Sequence, residues 1–172
     1  WVSLDAGANI GYHSILLGQL ATNGEVFAFE PTSTADMLEK NIRHNHLQNV
    51  EVSSVALGSR GGTKTEPIYR IWGSPPETAD YTFTTIDDFV AEKSLKRLDF
   101  LKIDVDGFDY EVLLGSTRAL AQFSPIVLVE VNHALATRGY TASQVHDFML
   151  QNKYGRALIL DGDNYVYFKD WG

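Results

Sequence analysis

Acidic residues close one apolar run after another in this sequence. Asp5 ends "WVSLD", Glu30 ends "EVFAFE", Asp104 and Asp106 close "LDFLKIDVD", and Glu130 precedes His133 in "IVLVEVNH". Acids so placed can take a proton from a hydroxyl, face a cationic ligand, or hold a hard divalent metal. Beside Asp5 lies Gly7-Ala8-Asn9-Ile10-Gly11, between an apolar run and the helix-like "YHSILLGQLA". A strand, a glycine turn and a helix start together bring backbone close to a nucleotide.

What the loop lacks narrows the nucleotide. A dinucleotide fingerprint needs G-x-G-x-x-G, whereas Gly7 and Gly11 have no glycine between them. A phosphate-gripping loop ending in Gly-Lys-Ser/Thr is absent. The charge of Asp5 at a strand tip would repel a diphosphate. S-adenosylmethionine (SAM) carries no phosphate; it has an ammonium at one end and a sulfonium at its reactive centre, and acids at strand tips suit it. Glu30, at the end of the second predicted strand, stands where a carboxylate accepts hydrogen bonds from ribose hydroxyls. SAM and NAD sites share that feature, so it supports the fold more than the choice of ligand.

For methyl transfer to a hydroxyl, the candidate bases are Asp104, Asp106, Glu130 and His133, the last because imidazole titrates near neutrality. An exposed loop histidine is the plainer alternative for His133, and His13 is expected to be structural or exposed. Strand alternation puts Lys102, Asp104 and Asp106 on one side of their run. A lysine there is costly unless paired, so Lys102 is expected to pair with a carboxylate; a purely structural ion pair is the competing account. Asp104, Asp106 and Glu130, with His133, are also chemically suited to a hard divalent metal, a reading that ranks below no metal at all. An EF-hand reading of "DVDGFDYE" fails, because the glycine is fourth rather than sixth and a helix follows directly.

The elements that must position these residues alternate. Strands are predicted at 1–5, 25–30, 49–57, 98–106 and 126–132. Helices are predicted at 10–21, 34–46, 86–95, 109–122 (broken near Gly115) and 141–152, where Thr141 and Gln144 have capping-box spacing. The Gly-, Pro- and Thr-rich stretch 58–85 reads as a hairpin or a loop, with Tyr69, Trp72, Tyr81 and Phe83 packing on the sheet or facing a substrate. "RALIL" and "NYVYFKD" flank Asp161-Gly162, a hairpin turn. The pattern predicts an α/β fold: a doubly wound, mostly parallel seven-stranded sheet with a C-terminal antiparallel hairpin, binding ligand at the carboxyl ends of its strands.

A chain of 172 residues with 44% apolar content suits one domain over 1–172 with a true core. A net charge of −8 and a pI near 5.0 argue against a nucleic-acid partner. The absence of cysteine excludes disulfides, thiolate zinc sites and cysteine nucleophiles. No run is long enough to span a bilayer and no signal peptide is visible, so a cytoplasmic location is expected. The sequence opens inside an apparent strand, and a segment upstream of Trp1 is expected.

"DAGANIGYHS", "VFAFEP", "TIDDF", "LKIDVDGFDYEVLLGS" and "LVEVN" occur in the order and spacing of the FkbM-family methyltransferases, which the chain resembles over about residues 2–132. That resemblance implies a class I SAM-dependent fold and O-methylation of hydroxyls on sugars, glycans or small natural products. It implies that Asp5, Gly7, Ala8, Asn9 and Gly11 form the SAM loop. It further implies Glu30 and Pro31 at the ribose, Ala56 and Leu57 beside the adenine, and Asp104 near the methyl group. Asp106 and Asp109 stand where the family often has glutamates, so Asp109 is expected to cap its helix. The rivals are a nucleic-acid or protein methyltransferase of the same fold and a non-catalytic SAM-binding module. "DVDG" replaces the Asn/Asp-Pro-Pro-aromatic motif of amino-methylating enzymes, and the intact acids weigh against the second rival.

Overall fold

A computed structural model of the chain describes residues 1–70 and 75–169. In chain order the elements are β1 (Val2–Ala6), α1 (Tyr12–Leu20), β2 (Glu25–Phe29), α2 (Ala35–His44), β3 (Val50–Ser53), β4 (Ala56–Leu57), β5 (Gly62–Ile68) and β6 (Glu77–Thr84). They continue with α3 (Ile86–Glu92), β7 (Phe100–Ile103), α4 (Asp109–Leu114), α5 (Thr117–Phe123), β8 (Ile126–Glu130), a 3₁₀ segment (His133–Arg138), α6 (Ala142–Gln151), β9 (Arg156–Ile159) and β10 (Asn164–Phe168).

The main sheet has seven strands in the order β3-β2-β1-β7-β8-β10-β9. Its first five strands are parallel, and β10 runs antiparallel to β8 and β9. All five residues of β1 are buried, as expected of a strand covered on both faces. Leu4, Leu101, Ile103, Val127 and Val129 form the centre of the core. Phe27 and Phe29 meet the ring of Phe89 edge-on, at 5.1 and 4.8 Å, which seats α3 on one face.

The helices form where local signals agree with that packing. In α2, Ala35, Leu38 and Ile42 repeat along one buried face, with Asp36 in the first turn and Arg43 and His44 in the last, matching the helix dipole. The side chain of Thr85 caps α3 by accepting from Asp88 N. Thr141 and Gln144 make the expected capping box on α6. The predicted helix 109–122 is two helices, α4 and α5, interrupted at Gly115 and Ser116.

The predicted strand 49–57 is two strands serving two sheets. β3 pairs with β2, the chain turns at 54–55, and Ala56-Leu57 pair with Phe83-Thr84 of β6. The stretch 58–85 contains a β5–β6 hairpin, making a second sheet of order β4-β6-β5. Tyr81 and Phe83 are buried there and Tyr69 is exposed; Trp72 lies outside the described residues. The strand predicted at 98–106 stops at Ile103, because Asp106 and Gly107 take positive φ values of 49° and 101° and turn the chain. Among the described residues no helix is long and apolar enough to cross a membrane.

Candidate functional site

A cleft opens at the carboxyl ends of β1, β2 and β7, where the strand order reverses. The space between its walls is about 640 Å³ when the open solvent at its mouth is included. Gly7 and Asn9 of the β1 turn, Glu30 and Pro31 after β2, and Asp104 and Asp106 after β7 line one part. Ala56, Leu57, Ile68, Tyr69, Phe83 and Phe108 line the more apolar part.

The β1 turn depends on Gly7. Its φ is +77°, and a Cβ there would lie 1.8 Å from the Asp104 carbonyl oxygen, so only glycine lets these two segments touch. The amides of Gly7 and Ala8 both donate to the Phe29 carbonyl. Asn9, also left-handed at φ 49°, donates its backbone N–H to Glu30 Oε2 at 3.0 Å and its side-chain amide to the Arg70 carbonyl at 3.3 Å. Ala8 and Gly11, expected at the ligand, are not among the cleft residues. Ala8 packs with Ala28, Leu38 and Ile42, and Gly11 starts α1 against Leu38. Both shape the loop from behind.

Asp5 also departs from expectation. Its carboxylate is fully buried and does not line the cleft. Ser14 Oγ donates to Oδ2 at 2.6 Å, while Oδ1 has the Lys102 ammonium at 3.1 Å, an ion-pair contact rather than an aligned hydrogen bond. Lys102, itself 3% exposed, lies 3.3 Å from Asp104 Oδ2 and donates to the Gly7 carbonyl at 3.3 Å. Burial pulls the Lys102 pKa down, but Asp5 and Asp104 more than offset it and hold the ammonium charged. The charge of Asp5 is therefore spent on Lys102, and any selection against phosphate falls to the acids that do line the cleft.

Those acids are Glu30, Asp104 and Asp106. Glu30 Oε1 accepts from Thr32 N and Thr32 Oγ1, and Oε2 accepts from Asn9 N. A carboxylate offers about four acceptor positions, so Glu30 keeps room for one ligand hydroxyl rather than two. Burial, then the charges of Asp104 and Glu30, raise the proton affinity of Asp106. Asp109 is buried and braces the turn, accepting from Val105 N at 3.0 Å and Gly107 N at 2.9 Å; burial nevertheless pushes its carboxyl up to about 6. It serves the turn that begins α4.

Glu130 ends β8 and His133 opens the 3₁₀ segment; neither is among the cleft residues. Glu130 is half-buried, and burial followed by the charges of Asp104, Asp109, Asp106 and Asp163 pushes it up to about 7. His133 is exposed. His13 is half-buried, and burial and then Lys102 lower its pKa against the pull of Asp5 and Asp104. Among the described residues, no three His, Cys, Asp or Glu side chains come together as a metal-ligand group, so Asp104, Asp106 and Glu130 are not gathered into one. Phe29, Val55, Val105 and Phe108 are cleft residues that sequence patterns did not single out. The Asp106-Gly107 turn signal just before Phe108 was the nearest clue.

The architecture has many solved counterparts. Methyltransferase FkbM from Methylobacillus flagellatus superposes with a TM-score of 0.68 at 18% identity, over 98% of this chain and 44% of that one. A Streptococcus mutans protein solved in complex with SAH superposes with a TM-score of 0.59 at 9% identity, over 96% of this chain and 85% of that one. In sequence, the hexuronic acid methyltransferase AglP of Haloferax volcanii is 29% identical over 143 residues, 80% of this chain and 58% of AglP. The chain thus spans less than two thirds of AglP and less than half of the Methylobacillus protein. The family model described as the methyltransferase FkbM domain matches residues 5–156, from the buried Asp5 to the start of β9. With the glycine turn and the acid-lined cleft both lying inside that match, the chain belongs to the FkbM methyltransferase domain family.

Proposed function

We propose that this chain is the SAM-binding domain of an O-methyltransferase acting on a hydroxyl of a sugar, glycan or small molecule, in the cytoplasm. The observation that carries the reading is the charge of the cleft: Glu30, Asp104 and Asp106 line it, and none of its described lining residues is Lys, Arg or His. Such a site attracts a sulfonium and an ammonium and repels a diphosphate. The same charge disfavours nucleic acid as acceptor. The sugar acid in the name of the Haloferax relative supports a glycan-type acceptor.

SAM would supply a methyl group activated on its sulfonium. Gly7 and Asn9 would let it approach the β1 turn, Glu30 and Pro31 would hold the ribose, and Ala56 and Leu57 would flank the adenine. The close approach at Gly7 and the open acceptor position on Glu30 fit that ligand. Asp104, pinned by Lys102, positions the acceptor side. Asp106 faces the same cleft with its proton affinity raised, which makes it the better group to receive the hydroxyl proton. Glu130 and His133 take no direct part. Alignment of the acceptor can be worth about 7–11 kcal/mol of barrier, and a positioned base about 10²–10⁴-fold in rate.

The test is transfer from methyl-labelled SAM to a panel of sugars and alcohols by the full-length protein. Asp106→Asn is expected to lower kcat by about 10²-fold or more with SAM affinity nearly unchanged. Full activity in that variant would remove Asp106 as proton acceptor, and absence of transfer to every hydroxyl by a SAM-bound enzyme would overturn the acceptor class.

A further inference from the structure

Arg138 lies outside the cleft, at the end of the 3₁₀ segment, yet it joins three elements that frame it. Its Nη1 and Nη2 donate to Glu66 of β5 at 3.1 and 3.4 Å, a two-pronged contact. Its Nε donates to Glu111 of α4 at 2.8 Å. Its guanidinium carbon lies 3.6 Å from the centre of the Phe108 ring. Phe108 lines the cleft and packs at 5.7 Å against Phe83 of β6, another cleft residue. Arg138, Glu66 and Glu111 are each no more than about a fifth exposed, so water screens these pairs less than it would surface pairs.

The contacts converge on the β5–β6 hairpin, which gives the cleft Ile68 and Phe83 and leads into Tyr69. The hairpin is also held by the pairing of β6 with β4, and Arg70, just after β5, accepts a hydrogen bond from Asn9 Nδ2 at its carbonyl. We infer that Arg138 is a positioning residue: it latches the hairpin, through Glu66, to α4 and to Phe108, and so holds the apolar part of the cleft at its working width. A lysine is a poor substitute, because one ammonium cannot present a planar fork to Glu66, a third donor to Glu111 and a flat face to Phe108 at once. The inference rests on the SAM reading for its ligand, but the latch itself is a property of the free protein.

The experiment compares the parent chain with Arg138→Met, Arg138→Lys, Glu66→Gln and the Glu66→Gln/Arg138→Met double variant. Amide hydrogen exchange without ligand reads the latch. Arg138→Met is expected to speed exchange in 62–68 and 77–84 while β1, β7 and β8 keep parental protection. Calorimetry with SAH reads the cleft, where the same variant is expected to bind about tenfold more weakly. Arg138→Lys is expected to recover only part of that loss. The double variant is expected to match Arg138→Met rather than sum the two single effects, since the contact that Glu66→Gln weakens is already lost with Arg138. Parental exchange in the hairpin, additive single effects, or full recovery by lysine would each overturn the latch. If the parent chain itself fails to bind SAH, the SAM reading fails while the exchange result still decides the latch. If a variant loses protection across the whole sheet, Glu66→Gln, which leaves Arg138 on Glu111 and Phe108, decides the case by its effect on the hairpin alone.

Discussion

Lys102→Met should be among the most damaging single substitutions in this protein, and the reason can be worked from three distances. The ammonium lies 3.1 Å from Asp5, 3.3 Å from Asp104 and 3.3 Å from the Gly7 carbonyl, and is 3% exposed. Methionine fills much of the same volume, so packing loss is small. What changes is charge: Asp5, fully buried, keeps only the Ser14 hydroxyl as partner. Removing one member of a buried pair typically costs about 3–5 kcal/mol, because the other is left as an uncompensated buried charge. That is a large share of the roughly 5–15 kcal/mol that stabilises a domain, and at about 2–4 °C per kcal/mol it corresponds to a melting temperature lower by roughly 10 °C. Urea unfolding followed by circular dichroism measures it. The double variant Asp5→Asn/Lys102→Met removes the stranded charge and should regain more than half of the loss. A Lys102→Met protein within about 1 kcal/mol of the parent, or a double variant worse than the single, would refute the assignment of Lys102 as the cation that neutralises Asp5.

Gly7→Ala should lose both stability and SAH binding, because its Cβ would sit 1.8 Å from a backbone oxygen at a φ of +77°; parental urea stability and calorimetry would contradict this. Glu130 and Asp109 have pKa values raised in the folded protein, from 4.5 to about 7 and from 3.8 to about 6. The folded state therefore holds those protons more tightly, and the stability they contribute is full below pH 4 and lost as pH rises through 6 to 7. Urea midpoints should fall between pH 5 and 7.5, and Glu130→Gln should flatten that decline; an unchanged slope would remove Glu130 as its source. Glu30→Ala should weaken SAH binding about tenfold or more and loosen the turn at Asn9, whose backbone N–H loses its acceptor; unaltered affinity by calorimetry would remove Glu30 from the ligand site.

The doubly wound sheet is readable because its strands are short apolar runs closed by acids and its helices carry their own stop and start signals, as at Gly115 and Thr141. What could not be read was where a run changes partner. "NVEVSSVAL" alternates over Val50–Ser53 and loses its period at Ser53-Ser54, but that break does not tell that Val50–Ser53 pair with β2 while Ala56-Leu57 pair with β6. Periodicity reports which face is apolar and is silent on which sheet supplies that face. The site shows the same division. Glu30, Asp104 and Asp106 follow strand ends that converge in such sheets, and all three line the cleft. Asp5 was assigned a charge facing the ligand because its partner, Lys102, stands on a neighbouring strand and becomes a neighbour only through the register Asp5↔Lys102. Arg138 was not singled out for a similar reason: its partners Glu66 and Glu111 lie far away in sequence, and an isolated arginine near a predicted helix carries no signal of its own.

The central claim is that the acid-lined cleft binds SAM, and ligand titration of this chain tests it most directly. Calorimetry with SAM, SAH and NAD⁺ under one set of conditions should show one-site binding of SAM and SAH and none of NAD⁺. Binding of NAD⁺ without SAM or SAH would contradict the account.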